Sequence, residues 1–136
     1  MVEKVIFTID DSELFQYYLK GYLRNYLMKK AAALDAMGQP TRYRIFQFAN
    51  GQEALKQLRR KPDLVLLDYY LEADEDGETR NGDWVFSELK HYSPNTEIVL
   101  LTSASEPEVM VRMVKLGMRH YVLKDLNHMQ ELNQYL

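Results

Sequence analysis

Five short apolar runs punctuate the chain: Val5–Ile9, Ile45–Phe48, Leu64–Leu67, Ile98–Leu101 and Tyr121–Leu123. The third and fourth are continuous rather than alternating, as in strands buried on both faces of a parallel sheet. Segments with helical spacing lie between the runs. Gly51–Arg60 places Ala54, Leu55 and Leu58 on one side, and Trp84–His91 carries Trp84, Val85 and Leu89 before Ser93-Pro94 stops it. Glu106–Leu116 carries Val109, Met110, Met113 and Val114, then meets Gly117 at a helix-terminating position. This alternation predicts an α/β fold, a doubly wound five-stranded parallel sheet with right-handed crossovers and helices on both faces. No repeat or linker interrupts it, so residues 1–136 are expected to form one domain.

The first helical segment has its own pattern. After Asp11-Ser12, apolar pairs recur every four residues: Leu14/Phe15, Tyr18/Leu19, Tyr22/Leu23 and Tyr26/Leu27. A step of four drifts about 40° per repeat in a 3.6-residue helix, so some tyrosines should leave the sheet-facing side. Continued through Ala31–Met37 to Gly38, the helix would span about 39 Å. A wide buried stripe accounts for the pattern; a partner or dimer surface is the sharper alternative.

Composition narrows the chemistry. The chain has no cysteine, which removes disulfides, thiolate metal sites and thiol catalysis, and its net charge of −3 argues against this chain gripping a nucleic-acid backbone. No apolar run approaches the roughly 20 residues that span a bilayer, and the N-terminus lacks a signal-peptide layout. A cytoplasmic module with no membrane segment is expected.

In doubly wound sheets, ligands bind beyond the carboxyl ends of the strands. The residues at those five ends are Asp10-Asp11, Asn50-Gly51, Asp68, Thr102-Ser103 and Lys124. Two carboxylates about 4 Å apart repel by roughly 4 kcal/mol at an effective dielectric of 20. Such a cluster needs raised pKa values or a cation. Oxygen-only ligands favour a hard ion, with magnesium the natural candidate. Singly, each residue has a structural explanation: Asp11 or Thr102 as an N-cap, Asp68 as a turn residue, Lys124 as a surface charge. Their joint placement at successive strand ends is what points to chemistry.

The sequence resembles the response-regulator receiver-domain family along essentially its whole length. The resemblance rests on Ile-Asp-Asp-Ser at 9–12, Asn-Gly-Gln-Glu-Ala-Leu at 50–55, Asp-Leu-Val-Leu-Leu-Asp at 63–68, Leu-Leu-Thr-Ser at 100–103 and Gly-Met-Arg-His-Tyr-Val-Leu-Lys at 117–124. It implies a flavodoxin-like strand order of 2-1-3-4-5 and a signalling domain that is no enzyme beyond its own phosphorylation and dephosphorylation. Asp68 would be the phosphoacceptor, with Mg2+ held by Asp10, Asp11, Asp68 and the Tyr70 backbone carbonyl. Lys124 would pair with a phosphoryl oxygen, Thr102 would be the switch hydroxyl, and Tyr121 the aromatic that turns inward. The implied donor is a sensor histidine kinase, a histidine phosphotransfer protein or a small acyl phosphate. Output would pass to a homodimer, output domain or partner through the face of the fourth helix, fifth strand and fifth helix.

The chain departs from the family pattern in four places. Asp125 follows Lys124 where the family has proline, commonly after a cis bond. Glu72–Asn81 is extra length rich in acids (Glu72, Asp74, Glu75, Asp76, Glu78), read as a solvated loop or a tuner of donor access. The stretch from Asp11 to Gly51 is long, with a modest basic group at Lys29, Lys30, Arg42 and Arg44. The tail after Lys124 leaves only a few turns for a fifth helix, and the natural chain is expected to continue into an output domain. Tyr70 and Ala104 are expected to influence hydrolysis. The alternative function is a degenerate receiver serving only as a docking module. A haloacid-dehalogenase-type phosphatase is disfavoured because Ser12 stands where its second acid belongs, and a nucleotide site because Asp10-Asp11 would repel phosphates.

Overall fold

The computed structural model describes residues 1–71, 73, 75–103 and 106–136. Strands β1 (Val2–Ile9), β2 (Thr41–Phe48), β3 (Leu64–Asp68), β4 (Glu97–Thr102) and β5 (Tyr121–Leu123) form one parallel sheet in the order β2-β1-β3-β4-β5. That is the expected order. Its central strands are buried on both sides because each contributes alternate residues to two cores.

One core joins Phe7, Ile9, Val65, Leu67 and Leu100 to α2 (Gly51–Leu55), α3 (Gly82–Tyr92) and α4 (Pro107–Lys115). The other joins Ile6, Leu64, Leu66, Val99 and Leu101 to α1 (Glu13–Ala36) and to a 3-10 segment, Met129–Tyr135. The helices of α1 and the C-terminal segment therefore cover one face, and the rest cover the other.

Three expectations are corrected. Gly51–Arg60 is not one helix: α2 stops at Leu55, and a 3-10 turn at Leu58–Arg60 follows. The break falls at Gln57, whose backbone (φ −110°, ψ 15°) leaves helical geometry, and Lys61, with a left-handed φ of 53° before Pro62, ends the 3-10 turn. The fifth helix is the 3-10 segment rather than α-helix, so the output face implied by the resemblance ends in a tighter, shorter element. Strand β2 begins four residues earlier than its apolar run, because Thr41–Arg44 pairs in register with Val2–Val5 although only Tyr43 of the four is apolar enough to pack on the core.

Helix α1 behaves largely as its pattern predicts. Leu19, Leu23 and Leu27 face the sheet, while Leu14, Tyr17, Tyr18 and Met28 are exposed. Tyr22 and Tyr26 stay at the margin, their rings stacked 6.4 Å apart. Gly38, at φ 77°, ends the helix through Gln39, whose amide donates to the Leu34 carbonyl.

Candidate functional site

The carboxyl ends of β1, β3 and β5 bring Asp10, Asp68 and Lys124 together. Each buried carboxylate spends one oxygen on a neighbouring amide: Ser12 N–H donates to Asp10 Oδ1 at 2.9 Å, and Tyr69 N–H to Asp68 Oδ1 at 2.9 Å. The other oxygens turn toward Lys124, whose Nζ lies 2.8 Å from Asp10 Oδ2 and 3.3 Å from Asp68 Oδ2. Asp10 Oδ2 nevertheless receives no well-directed hydrogen bond and is buried. Asp11 stands exposed at the rim. Oxygens of Asp10, Asp11 and Asp68 lie within 4.8 Å of one another. Three oxygen donors, one of them buried and unsatisfied, fit a hard divalent cation such as magnesium.

The electrostatics follow from burial. Desolvation, then the charge of Asp10, push the Asp68 carboxyl up to about 6 against the opposing pull of Lys124. Burial likewise raises Asp10, outweighing the adjacent Lys124 ammonium and the bond from Ser12. For Lys124, burial works against the ammonium, but the close Asp10 carboxylate and the charge of Asp68 outweigh it and its pKa is raised. Two buried carboxylates thus share the single ammonium of Lys124.

Local sequence explains the placement. Ser12, not Asp11, caps α1, its Oγ accepting from Phe15 N–H at 3.2 Å. Asp11 is therefore released from the capping role its position suggested. Glu106, not Thr102, stands at the N-cap of α4. Thr102 is buried at the end of β4, and its carbonyl accepts from Lys124 N–H at 2.7 Å, which seats the lysine beside the acids. Tyr70 follows β3 with an exposed side chain, and Tyr121 is 53% exposed, turned outward. Gly82 lets α3 start against β3: a Cβ there would sit 2.9 Å from Tyr69 Cα and 3.0 Å from the Asp68 carbonyl oxygen.

Two supporting residues were not singled out from sequence. Gln16 is buried and links the ends of β1 and β2, Nε2 donating to the Thr8, Asp10 and Phe48 carbonyls at 3.1–3.3 Å, while Oε1 accepts from Thr8 and Gln47. Its signal was a polar residue in register with Leu19, Leu23 and Leu27. Phe15 places its ring under Lys124 Nζ, 4.7 Å from the centroid. Nothing in its own pattern distinguished it from a core residue.

The departures from the family pattern also resolve. The Lys124–Asp125 peptide is trans. Asp125 instead organises the turn into the 3-10 segment: its Oδ1 accepts from Asn127 N–H and pairs with His128 Nδ1 at 2.7 Å. In the extra loop, Ala73 and Thr79 form an antiparallel bridge around Gly77, Arg80 pairs with Asp76 and Glu78, and Glu75 pairs with Lys56. Glu72, Asp74 and Ala104 lie outside the described residues.

Comparison with known proteins agrees with this geometry. The model of a family described as the response regulator receiver domain matches residues 29–136. The chain is 27% identical over 122 residues to the chemotaxis protein CheY of Halobacterium salinarum, covering 89% of this chain and 84% of that protein. It is 28% identical over 125 residues to the response regulator protein VraR of Staphylococcus aureus, covering 91% of this chain but only 50% of VraR. Among solved structures, it is similar to the signal receiver domain of a putative LuxO repressor protein from Vibrio parahaemolyticus (TM-score 0.71, 19% identity, 98% and 87% of the two chains). It is also similar to the phosphorylated cyanobacterial phytochrome response regulator RcpA (TM-score 0.69, 22% identity, 98% and 89%). At these identities the structural likenesses bear on fold. No helix among the described residues is long and apolar enough to cross a membrane.

Proposed function

The chain belongs to the response regulator receiver-domain family, and on that premise we propose that Asp68 accepts a phosphoryl group and thereby switches the face around Thr102 and Tyr121. The observation that carries this reading is the convergence of Asp10, Asp11 and Asp68 with Lys124 set between two of them. Residues 1–136 act in it as one receiver unit.

Asp10, Asp11, Asp68 and the Tyr70 carbonyl would hold Mg2+, which when bound neutralises charge on the phosphoryl oxygens. An Asp68 oxygen attacks phosphorus, a new O–P bond forms, and the donor's N–P bond (or O–P bond of an acyl phosphate) breaks as the leaving group departs. A carboxyl pushed up to about 6 is still mainly ionised at neutral pH, so burial sharpens the nucleophile without silencing it. Lys124 exchanges a carboxylate partner for a phosphoryl oxygen. The hydroxyl of Thr102, buried at the adjacent strand end, reaches for the new acceptor oxygens. Tyr121 then has an outward position to leave, and the population shifts on the surface made by α4, β5 and the C-terminal 3-10 segment. The donor is a phosphohistidine on a sensor kinase or phosphotransfer protein, and output runs to a second copy, an output domain or a partner.

Intact-protein mass spectrometry after incubation with acetyl phosphate tests this. One added phosphoryl group is expected with magnesium, and none with EDTA or in Asp68→Asn. No addition from either acetyl phosphate or a phosphohistidine donor would favour a docking module that keeps only the fold.

A further inference from the structure

The two residues after Asp68 are both tyrosines, and their hydroxyls reach α4 at separate points. The Tyr69 ring is buried, and its hydroxyl oxygen accepts from Arg112 Nη1 while donating to Asp83 Oδ2 at 3.3 Å. An Arg112–Asp83 ion pair at 3.6 Å closes that triangle between α3 and α4. The Tyr70 hydroxyl donates to Glu106 at the start of α4. Glu106 makes no side-chain cap bond to its own helix, so this bond is not a by-product of capping. The two rings meet edge to face, 4.9 Å between centroids.

The backbone of the same residues is tied to the site. Tyr69 N–H donates to Asp68 Oδ1, and its carbonyl accepts from Gly82 N–H at 2.6 Å. Glu106 and Arg112 are six residues apart, about 9 Å along a helix at 1.5 Å per residue. Two anchors with that separation resist tilting of α4 as well as sliding.

We propose that Tyr69 and Tyr70 are positioning residues that couple occupancy of the cation site to the placement of α4, by a route separate from Thr102. The inference rests on the reading above that the Tyr70 carbonyl helps hold the cation. Seating a cation on the Tyr70 carbonyl adjusts the 70–71 peptide and with it the backbone that carries both tyrosines, and each ring passes the adjustment to a hydroxyl bonded to α4 or its N-cap. Coupling of this kind is reciprocal, so the state of α4 also biases the cation site.

Hydrogen exchange of the α4 amides, with and without Mg2+ alone, tests it, alongside calorimetric Mg2+ affinity. In the wild-type chain Mg2+ should slow α4 exchange by about threefold or more. In Glu106→Ala/Arg112→Met, Mg2+ should bind within about threefold of wild-type affinity yet leave α4 exchange unchanged. Glu106→Gln, which keeps an acceptor for Tyr70, should retain the response, and so should Thr102→Ala. An α4 response undiminished in the double variant, or absent from a wild-type chain that binds Mg2+, overturns the coupling alone. A wild-type chain that does not bind Mg2+ overturns the reading of the acidic cluster and the coupling with it.

Discussion

The two ends of the sheet carry the same kinds of residues and differ in what those residues are left to do. At the amino end, Lys4, Lys30, Asp63 and Glu97 line a cavity of about 420 Å³, slightly larger than the one of about 380 Å³ beside Asp10 and Asp11. There two of the charges hold structure. Asp63 Oδ2 accepts from Val5 N–H at 2.8 Å, and Lys30 donates to the Leu136 carbonyl. At the carboxyl end Asp10 and Asp68 each spend one oxygen this way and keep the second for a cation. Cavity size and charge alone do not mark the site; buried carboxylates with an oxygen in reserve do.

That contrast is sharpest when a lysine is removed from each end. Lys124→Met should abolish stable phosphoryl incorporation and, by stranding two buried carboxylates, cost about 3–5 kcal/mol in urea unfolding without metal. Lys30→Met should cost no more than about 1 kcal/mol, because this half-buried lysine strands no buried carboxylate and gives up one bond to a carbonyl. Equal losses at both ends would erase the distinction.

The raised carboxyl of Asp68 makes a pH prediction. Its folded pKa of about 6 lies above the ordinary 3.8, so the stability it contributes is full below 3.8 and lost as pH rises through 6. Between pH about 4 and 7 the metal-free wild type should lose about 2 kcal/mol more than Asp68→Asn, a gap that Mg2+ narrows. Parallel stability curves for the two proteins would show that Asp68 is not strained.

Gly82→Ala probes the close contact that sets the site's wall. A Cβ within 3.0 Å of β3 backbone should cost about 1–3 kcal/mol and weaken Mg2+ binding, whereas Gly21→Ala, with open space around it, should do neither. The smallest effect concerns the residue that replaces the family's proline. The bond to Asp125 raises His128, and His128 holds Asp125 below the usual carboxylate range. Their mutual stabilisation spans the window between those two values, lost above through His128 and below through Asp125. A proton NMR titration should find His128 above 6.5 in wild type and lower in Asp125→Ala.

The strands and their five end residues were legible because buried parallel strands read as continuous apolar runs, and ligand-binding residues sit where those runs stop; the strand order came from the family resemblance. Register with neighbouring elements was not. Ser12 and Asp11 compete for one cap, and only the chain's path decides that Ser12 takes it. The break in Gly51–Arg60 falls at Gln57, whose non-helical backbone apolar spacing does not encode. Gln16 and Phe15 act through contacts with β1, β2 and Lys124, so their roles needed the packed structure.

The most direct test of the central claim locates the phosphoryl group. Borohydride reduction of an aspartyl phosphate converts that residue to homoserine, which peptide sequencing by mass spectrometry then places. After incubation with acetyl phosphate and magnesium, homoserine is expected at position 68 alone. Homoserine at position 10, 11, 76 or 83, or at no position in protein that has gained a phosphoryl group, would contradict Asp68 as the acceptor.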